Sequence, residues 1–443
     1  MKKKITYIIS IAIAMLIVVS SVTAAGAVSN EINFDTHTES LYLLNLDTDT
    51  VVYNKAAQEK RYPASTTKIM TYIVVSEQVA DLDNTNVTIN ADVLSQLDGT
   101  ESSTAGLNEY VGKSLTVTQL LNCMMVSSGN DAALVLADYV GGGDVDKFVD
   151  LMNKKAEELG CKGTHYVNPH GLQDEEQYTT AEDLAIITKY ALTVKYFPEI
   201  TNTTEYFLDG EEKDPLTTTN LLITPASDYY YEYAKGIKTG TTDEAGHCLI
   251  STALKDGTAY LCVALNAPIY DENGYTLDEN YAAVDSKNLY EWAYSNIQMK
   301  TIIAEQDKVC ETKINYVSNQ DMLGLVPEYS YSTMLPKDLD DSKIEIKTQC
   351  PEVIDAPVKK GDIIGTATIS YNGEELTKVN LVACETLDRS EFLYSMTIAK
   401  NIMTSPWFIV AAIVIVILFI AYLIFINRMK KTKTKEVRQP RDL

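Results

Sequence analysis

Three short clusters carry residue types able to make a nucleophile, a base and an anion site. The first lies in "RYPASTTKIMTYIVV" (residues 61–75), where Ser65 and Lys68 stand three residues apart. On a helix that spacing puts both side chains on one face, a single turn apart, so the amine can take the hydroxyl proton. The second is Ser128-Gly129-Asn130 and the third Lys238-Thr239-Gly240. A lone S-x-x-K arises by chance about once or twice in a chain this long, so order and context carry the signal. Ser370-Tyr371-Asn372 fits S-x-N as well, but it follows the third cluster and runs into an Asn-Gly hairpin signal, which reads as a turn.

Each cluster has a chemical use. A serine at a helix N-terminus sits near unpaired N–H groups and the positive end of the helix dipole, which stabilise a developing oxyanion. A desolvated Lys68 has a lowered pKa and can act as the base. Ser128 can relay a proton between Lys68 and a leaving amine, and the Asn130 amide can hold a substrate peptide group. Lys238 on a strand edge offers a positive charge for a carboxylate, Thr239 a hydroxyl donor, and Gly240 close approach of a substrate backbone. A substrate would lie along that edge as an added strand.

Elements must then hold these groups. Thr66, Thr67, Ile69, Thr71 and Ile73–Val75 favour a strand by propensity, whereas Pro63 and Ser65 read as a helix start; the S-x-x-K geometry selects the helix. "ESLYLLNLDTDTVVYN" (39–54) reads as a hairpin. Helical periodicity runs through "LTVTQLLNCMMVSS", "NDAALVLADYV", "VDKFVDLMNKKAEELG" and "TTAEDLAIITKYAL". "GHCLISTAL" and "TAYLCVALNA" form a second hairpin around Lys255-Asp256-Gly257, followed by a helix in "DSKNLYEWAYSNI". The aromatic run Tyr229 to Tyr233 either borders the cleft or packs against the sheet. The order implies helices on an antiparallel sheet, and the short β-like segments after Lys300 imply a separate all-β domain.

The ends place the protein at a membrane. Lys2–Lys4, the apolar run Ile5–Val19 and Ala25-Gly26-Ala27 read as a secretory signal over 1–27, and the shortness of the run favours cleavage over retention as an anchor. Trp407–Ile426 is uncharged and has about the 20 residues a spanning helix needs. Arg428, Lys430, Lys431, Lys433 and Lys435 follow it, a basic cluster expected to stay cytoplasmic. The net charge of -24 argues against nucleic-acid binding. Seven cysteines, an odd number without zinc-ligand spacing, read mostly as buried thiols, and no metal or cofactor is expected.

The three motifs, in this order, match the S-x-x-K, S-x-N and K-T-G set of penicillin-recognising serine enzymes. With "PASTTKIMT", "VSSGNDAALVLADYV", "NPHGLQDEEQYTTAEDLA" and "GIKTGTTDEAGHCLISTA", residues 35 to 295 resemble a D-alanyl-D-alanine carboxypeptidase, a low-molecular-mass penicillin-binding protein. "APVKKGDIIGTATISYNGEELTKVNLVA" resembles that family's C-terminal β-domain. The resemblance implies an α+β fold of the serine β-lactamase and penicillin-binding-protein type, with an antiparallel sheet flanked by helices and a helical subdomain. The implied organisation is a catalytic domain over 35–298, a β-rich domain over 299–390, a linker over 391–405, a transmembrane helix over 406–427 and a tail over 428–443.

It also implies roles. Ser65 is the acylated nucleophile, Lys68 its base, Ser128 the second catalytic serine with Asn130 beside it, and Lys238 and Thr239 the carboxylate site. The backbone N–H groups of Ser65 and Thr241 form the oxyanion hole. Many relatives carry histidine or tyrosine where Thr241 stands, which leaves the backbone role and puts a side-chain role in doubt. His170 in "NPHGL" is a second candidate base; a structural loop histidine is the favoured reading, since Lys68 already serves. The implied partners are a peptidoglycan stem peptide ending in D-Ala-D-Ala, β-lactam antibiotics and the cell membrane, with no nucleic acid. A β-lactamase and a non-catalytic penicillin-binding sensor are the competing functions.

Overall fold

The computed structural model describes residues 32–100, 102–208 and 214–435. The signal segment and the end of the basic tail lie outside them. Two units are resolved: residues up to 302 with 332–345 and 370–377, and residues 303–331, 346–369 and 378 onward.

The first unit is built on a five-stranded antiparallel sheet. Its strands are β1 (Ser40–Asn45), β2 (Val51–Lys55), β3 (Ala234–Thr242), β4 (Gly246–Lys255) and β5 (Thr258–Ala267), in the order β2-β1-β5-β4-β3. Both expected hairpins are present, and β3, which carries Lys238-Thr239-Gly240, is added at the edge. Alternation along β1 divides two cores. Leu41 and Leu43 pack with Leu289, Tyr290 and Trp292 of α6 (Tyr281–Asn296). Tyr42 and Leu44 face the opposite core with Ile69, Met70 and Ile73. Covering both faces requires apolar residues at successive positions, which is why these strands read as nearly continuous apolar runs.

The helices on the second face are α1 (Lys68–Gln78), α2 (Val117–Val126), α3 (Asn130–Gly141), α4 (Val145–Glu158) and α5 (Ala181–Ala191). Their ends follow local chemistry. Thr116 and Gln119 form a reciprocal capping box on α2, and Thr180 accepts from the Asp183 N–H at 3.0 Å to start α5. In α1 every residue from Lys68 to Val75 is buried, as is every residue of α3 from Asn130 to Ala137. Tertiary burial, about 1.5–3 kcal/mol for each large aliphatic side chain, overrides the strand propensity of the β-branched residues of α1.

Six further strands run in the order Ile344–Gln349, Ile363–Tyr371, Glu374–Ala383, Met322–Pro327, Cys310–Asn315 and Val353–Asp355. Asn372 and Gly373 both take positive φ, 51° and 84°, so Ser370-Tyr371-Asn372 is part of a hairpin turn, as its Asn-Gly pair predicts. Cys310 and Cys350 are disulfide-bonded, and the other five cysteines are free. The stretch expected as a linker over 391–405 is largely helical, as α7 (Glu391–Thr404). Ser390 caps it by accepting from the Leu393 N–H, and no proline or glycine interrupts it. α8 (Pro406–Lys435) follows; within Pro406–Met429 an 18-residue window has mean hydropathy 3.4 and none of that window is buried, as in a membrane-spanning helix.

Candidate active site

Ser65 sits in a 3-10 turn (Ala64–Thr67) and Lys68 is the first residue of α1. The turn is wedged between two glycines. A Cβ on Gly171 would come 1.9 Å from the Ala64 carbonyl oxygen, and one on Gly240 would come 2.9 Å from the Ser65 nitrogen. Only glycine lets both segments approach this closely. Ala64 itself is held at φ 44° and Ser128 at φ 62°, two left-handed residues, one beside Ser65 and one in the second motif. Such conformations cost about 1–3 kcal/mol each and persist only where surrounding contacts enforce them.

Lys68 is fully buried. Its Nζ donates to Ser65 Oγ at 2.9 Å, to Asn130 Oδ1 at 2.6 Å and to the His170 carbonyl at 2.7 Å. Three acceptors match the three protons of an ammonium. Burial opposes that charge and, with the nearby Lys238 amine, pulls the pKa well below that of an ordinary lysine, while Asp131 offsets part of the shift. The result is an amine able to exchange a proton with the hydroxyl it touches.

α2 and α3 deliver the second motif. Ser128 lies between them and lines the same cavity as Ser65. Asn130 opens α3, and its amide joins the first motif to a neighbouring serine loop. Its Oδ1 accepts from Lys68, its Nδ2 donates to Ser102 Oγ at 3.2 Å, and its backbone N–H donates to the Ser103 carbonyl at 2.8 Å. The next residue, Asp131, pins this serine loop by accepting from the N–H groups of Ala105 at 2.9 Å and Leu107 at 3.0 Å.

The third motif lies on the edge strand β3. Lys238 is buried, and desolvation alone lowers its pKa to about 7. Its Nζ donates to the Thr239 carbonyl at 3.0 Å. The Thr239 hydroxyl is bonded to that of Thr219, and the Thr241 hydroxyl faces His247 Nδ1 at 3.2 Å. Ser65, Ser128, Thr239, Gly240 and Thr241 share one cavity of about 200 Å³. A hydroxyl nucleophile, a dry amine, a second serine and a row of donors on a strand edge are sufficient for acyl transfer.

Other expectations resolve differently. The His170 ring is buried and held neutral, its pKa pushed to about 3 by desolvation and by Lys68; Nδ1 accepts from the Leu172 N–H at 3.2 Å. It serves the site through its carbonyl. The tyrosine run is mainly packing: Tyr231 stacks on Tyr290, and the Tyr229 hydroxyl accepts from the N–H of Asn280, a cavity residue, at 3.0 Å. Ser103, Thr219, His247 and Asn280 line the cavity without any signal in the sequence reading. Only hairpin register could have flagged His247, which pairs with Thr241 across β3 and β4.

Comparisons with known proteins point to one family. Residues 25–269 match the family described as D-alanyl-D-alanine carboxypeptidase, and residues 298–389 match the penicillin-binding protein 5 C-terminal domain. The chain is 31% identical over 359 residues to the D-alanyl-D-alanine carboxypeptidase DacF of Bacillus subtilis, covering 80% of this chain and 87% of that protein. The D-alanyl-D-alanine carboxypeptidase DacD structure from Francisella tularensis superposes with TM-score 0.62 at 25% identity, over 82% of this chain and 97% of that one. Penicillin-binding protein 5 from Haemophilus influenzae gives TM-score 0.63 at 24% identity, over 81% and 100%, and shows the shared fold.

Proposed function

The chain belongs to the D-alanyl-D-alanine carboxypeptidase family of serine peptidases, and from that membership we propose that it removes the terminal D-alanine from peptidoglycan pentapeptides through an acyl-enzyme on Ser65. The observation that carries this reading is the 2.9 Å contact between the Lys68 amine and Ser65 Oγ inside a desolvated site.

Lys68 takes the hydroxyl proton as Ser65 Oγ attacks the carbonyl carbon of the penultimate D-alanine. The oxyanion is met by the backbone N–H groups of Ser65 and Thr241. The proton then passes by way of Ser128 to the departing D-alanine nitrogen, the peptide bond breaks, and the ester on Ser65 remains. Water hydrolyses that ester and restores the serine. Lys238 and Thr239 receive the terminal carboxylate, Gly240 leaves room for the substrate backbone along the edge of β3, and Asn130 orients Lys68. β-Lactams acylate Ser65 by the same attack, with the ring nitrogen as a leaving group that stays attached.

The apolar helix Pro406–Met429 anchors the protein in the cell membrane, with the catalytic unit outside and the basic tail inside. The test uses the full-length chain in detergent with benzylpenicillin and a peptide ending in D-Ala-D-Ala. A long-lived adduct on Ser65, seen by intact mass, together with D-alanine release supports the reading. Rapid adduct turnover without release points to a β-lactamase, and an adduct that persists in Ser65→Ala removes the nucleophile assignment.

A further inference from the structure

We propose that His247 is a positioning residue for the oxyanion site, acting through a side-chain tether to Thr241. The inference rests on the acyl-transfer reading above, which gives the Thr241 N–H its task.

Thr241 lies near the end of β3, one residue before the turn into β4. Among the described residues β3 is the edge strand, with β4 as its one neighbour in the sheet. Strand ends beside a turn open more readily than strand centres, yet a donor aimed at a developing oxyanion must hold its place within about 0.5 Å. Something has to restrain this end. His247 stands directly opposite Thr241 in the β3–β4 register, which puts both side chains on the same face. His247 Nδ1 is 3.2 Å from Thr241 Oγ1, and both residues line the cavity that holds Ser65.

The chemistry of the pair is consistent with a tether. The ring is half-buried, and desolvation holds its pKa below that of an ordinary histidine. A neutral imidazole keeps Nδ1 able to accept the threonine O–H. Below this contact, Thr242 Oγ1 accepts from the Ala245 N–H at 3.0 Å, which closes the turn but does not reach the cavity side of residue 241. The His247–Thr241 contact therefore supplies the side-chain restraint nearest the donor.

The test measures the rate of benzylpenicillin acylation in the full-length chain for wild type, His247→Phe, Thr241→Val and the double variant. Loss of one net hydrogen bond corresponds to about a fivefold change in rate. Each single variant is expected to acylate about fivefold more slowly and the double variant no more slowly than either, because both remove the same bond. His247→Asn, whose amide reaches the position of Nδ1, restores most of the rate. Unchanged single variants, or a double variant slowed by the product of the two effects (about 25-fold), overturn the tether. A fall in melting temperature with normal acylation also overturns it, leaving His247 a packing residue. If the wild type itself forms no adduct, the acyl-transfer reading fails first and this inference falls with it.

Discussion

The Lys68 amine and the Ser65 hydroxyl are 2.9 Å apart, and the same amine is 2.6 Å from Asn130 Oδ1. One lysine thus links the first two motifs, and the Asn130 amide oxygen holds the base. Its replacement is the most direct test of that arrangement.

Lys68→Met keeps the length of the side chain and removes the base. Benzylpenicillin acylation is expected to fall by about 10²- to 10⁴-fold, while the melting temperature stays level or rises, since a buried amine is replaced by an apolar group. A variant acylating within tenfold of wild type would remove Lys68 from the base role.

The pH profile of kcat/KM follows from two depressed lysines. Lys68 accepts a proton only when neutral, so activity climbs as pH rises through its lowered pKa. Lys238 attracts a carboxylate only when charged, so activity declines above its value of about 7. A bell-shaped profile is expected in the free-enzyme parameter. Lys238→Gln removes a positive charge that pushes Lys68 down, so the acid limb should move to higher pH in titrations of acylation rate. An unmoved limb would contradict the coupling.

Stability should show the opposite cost of the same burial. Lys238 has a folded pKa of about 7 against the ordinary lysine value of 10.5. Between these values the unfolded chain binds more protons, so stability rises with pH across that window. The penalty is fully present below pH 7 and gone above 10.5. Lys238→Met is therefore expected to raise the melting temperature, and by more at pH 6 than at pH 9 in calorimetry. An equal gain at both would show that desolvation of the charge is not the cause.

Gly240→Ala places a methyl group 2.9 Å from the Ser65 nitrogen and 3.0 Å from the Pro63 carbonyl oxygen. Backbone must move on one side or the other, at about 1–3 kcal/mol. Slower acylation and a lower melting temperature are expected together. A fully active, equally stable variant would show that the strand and the serine turn are not held in close contact.

Asp131→Asn leaves one oxygen for the N–H groups of Ala105, Leu107 and Ala132 that the carboxylate now serves. The cost is about 1–3 kcal/mol in thermal unfolding. Because Asn130 is tied to Ser102 and Ser103 of that loop, acylation should slow as well. Normal acylation in a destabilised variant would limit the loop to a structural role.

Much of this protein is written in short-range patterns. The hairpin at 39–54, the caps at Thr116 and Thr180, the Asn372-Gly373 turn and the apolar run after Ser405 all follow from residues within a few positions of one another. The stretch 391–405 was less clear because it lacks a strong periodic face and its helix shows mainly in the Ser390 cap. Within the site, the types and order of Ser65, Lys68, Ser128, Lys238 and Thr239 are what suggest acyl transfer before any contact is considered.

Sequence alone determined which reactive groups exist and which local elements carry them, since propensity, capping and alternation act over a turn or two of chain. Tertiary structure alone decided the state of those groups. The depressed pKa values of Lys68 and Lys238, the turning of Asn130 onto the base, the glycine wedge around Ala64 and the meeting of His247 with Thr241 depend on desolvation and on neighbours distant in the chain or set by strand register. Burial and through-space contact are properties of the packed molecule, and no short window of residues contains them.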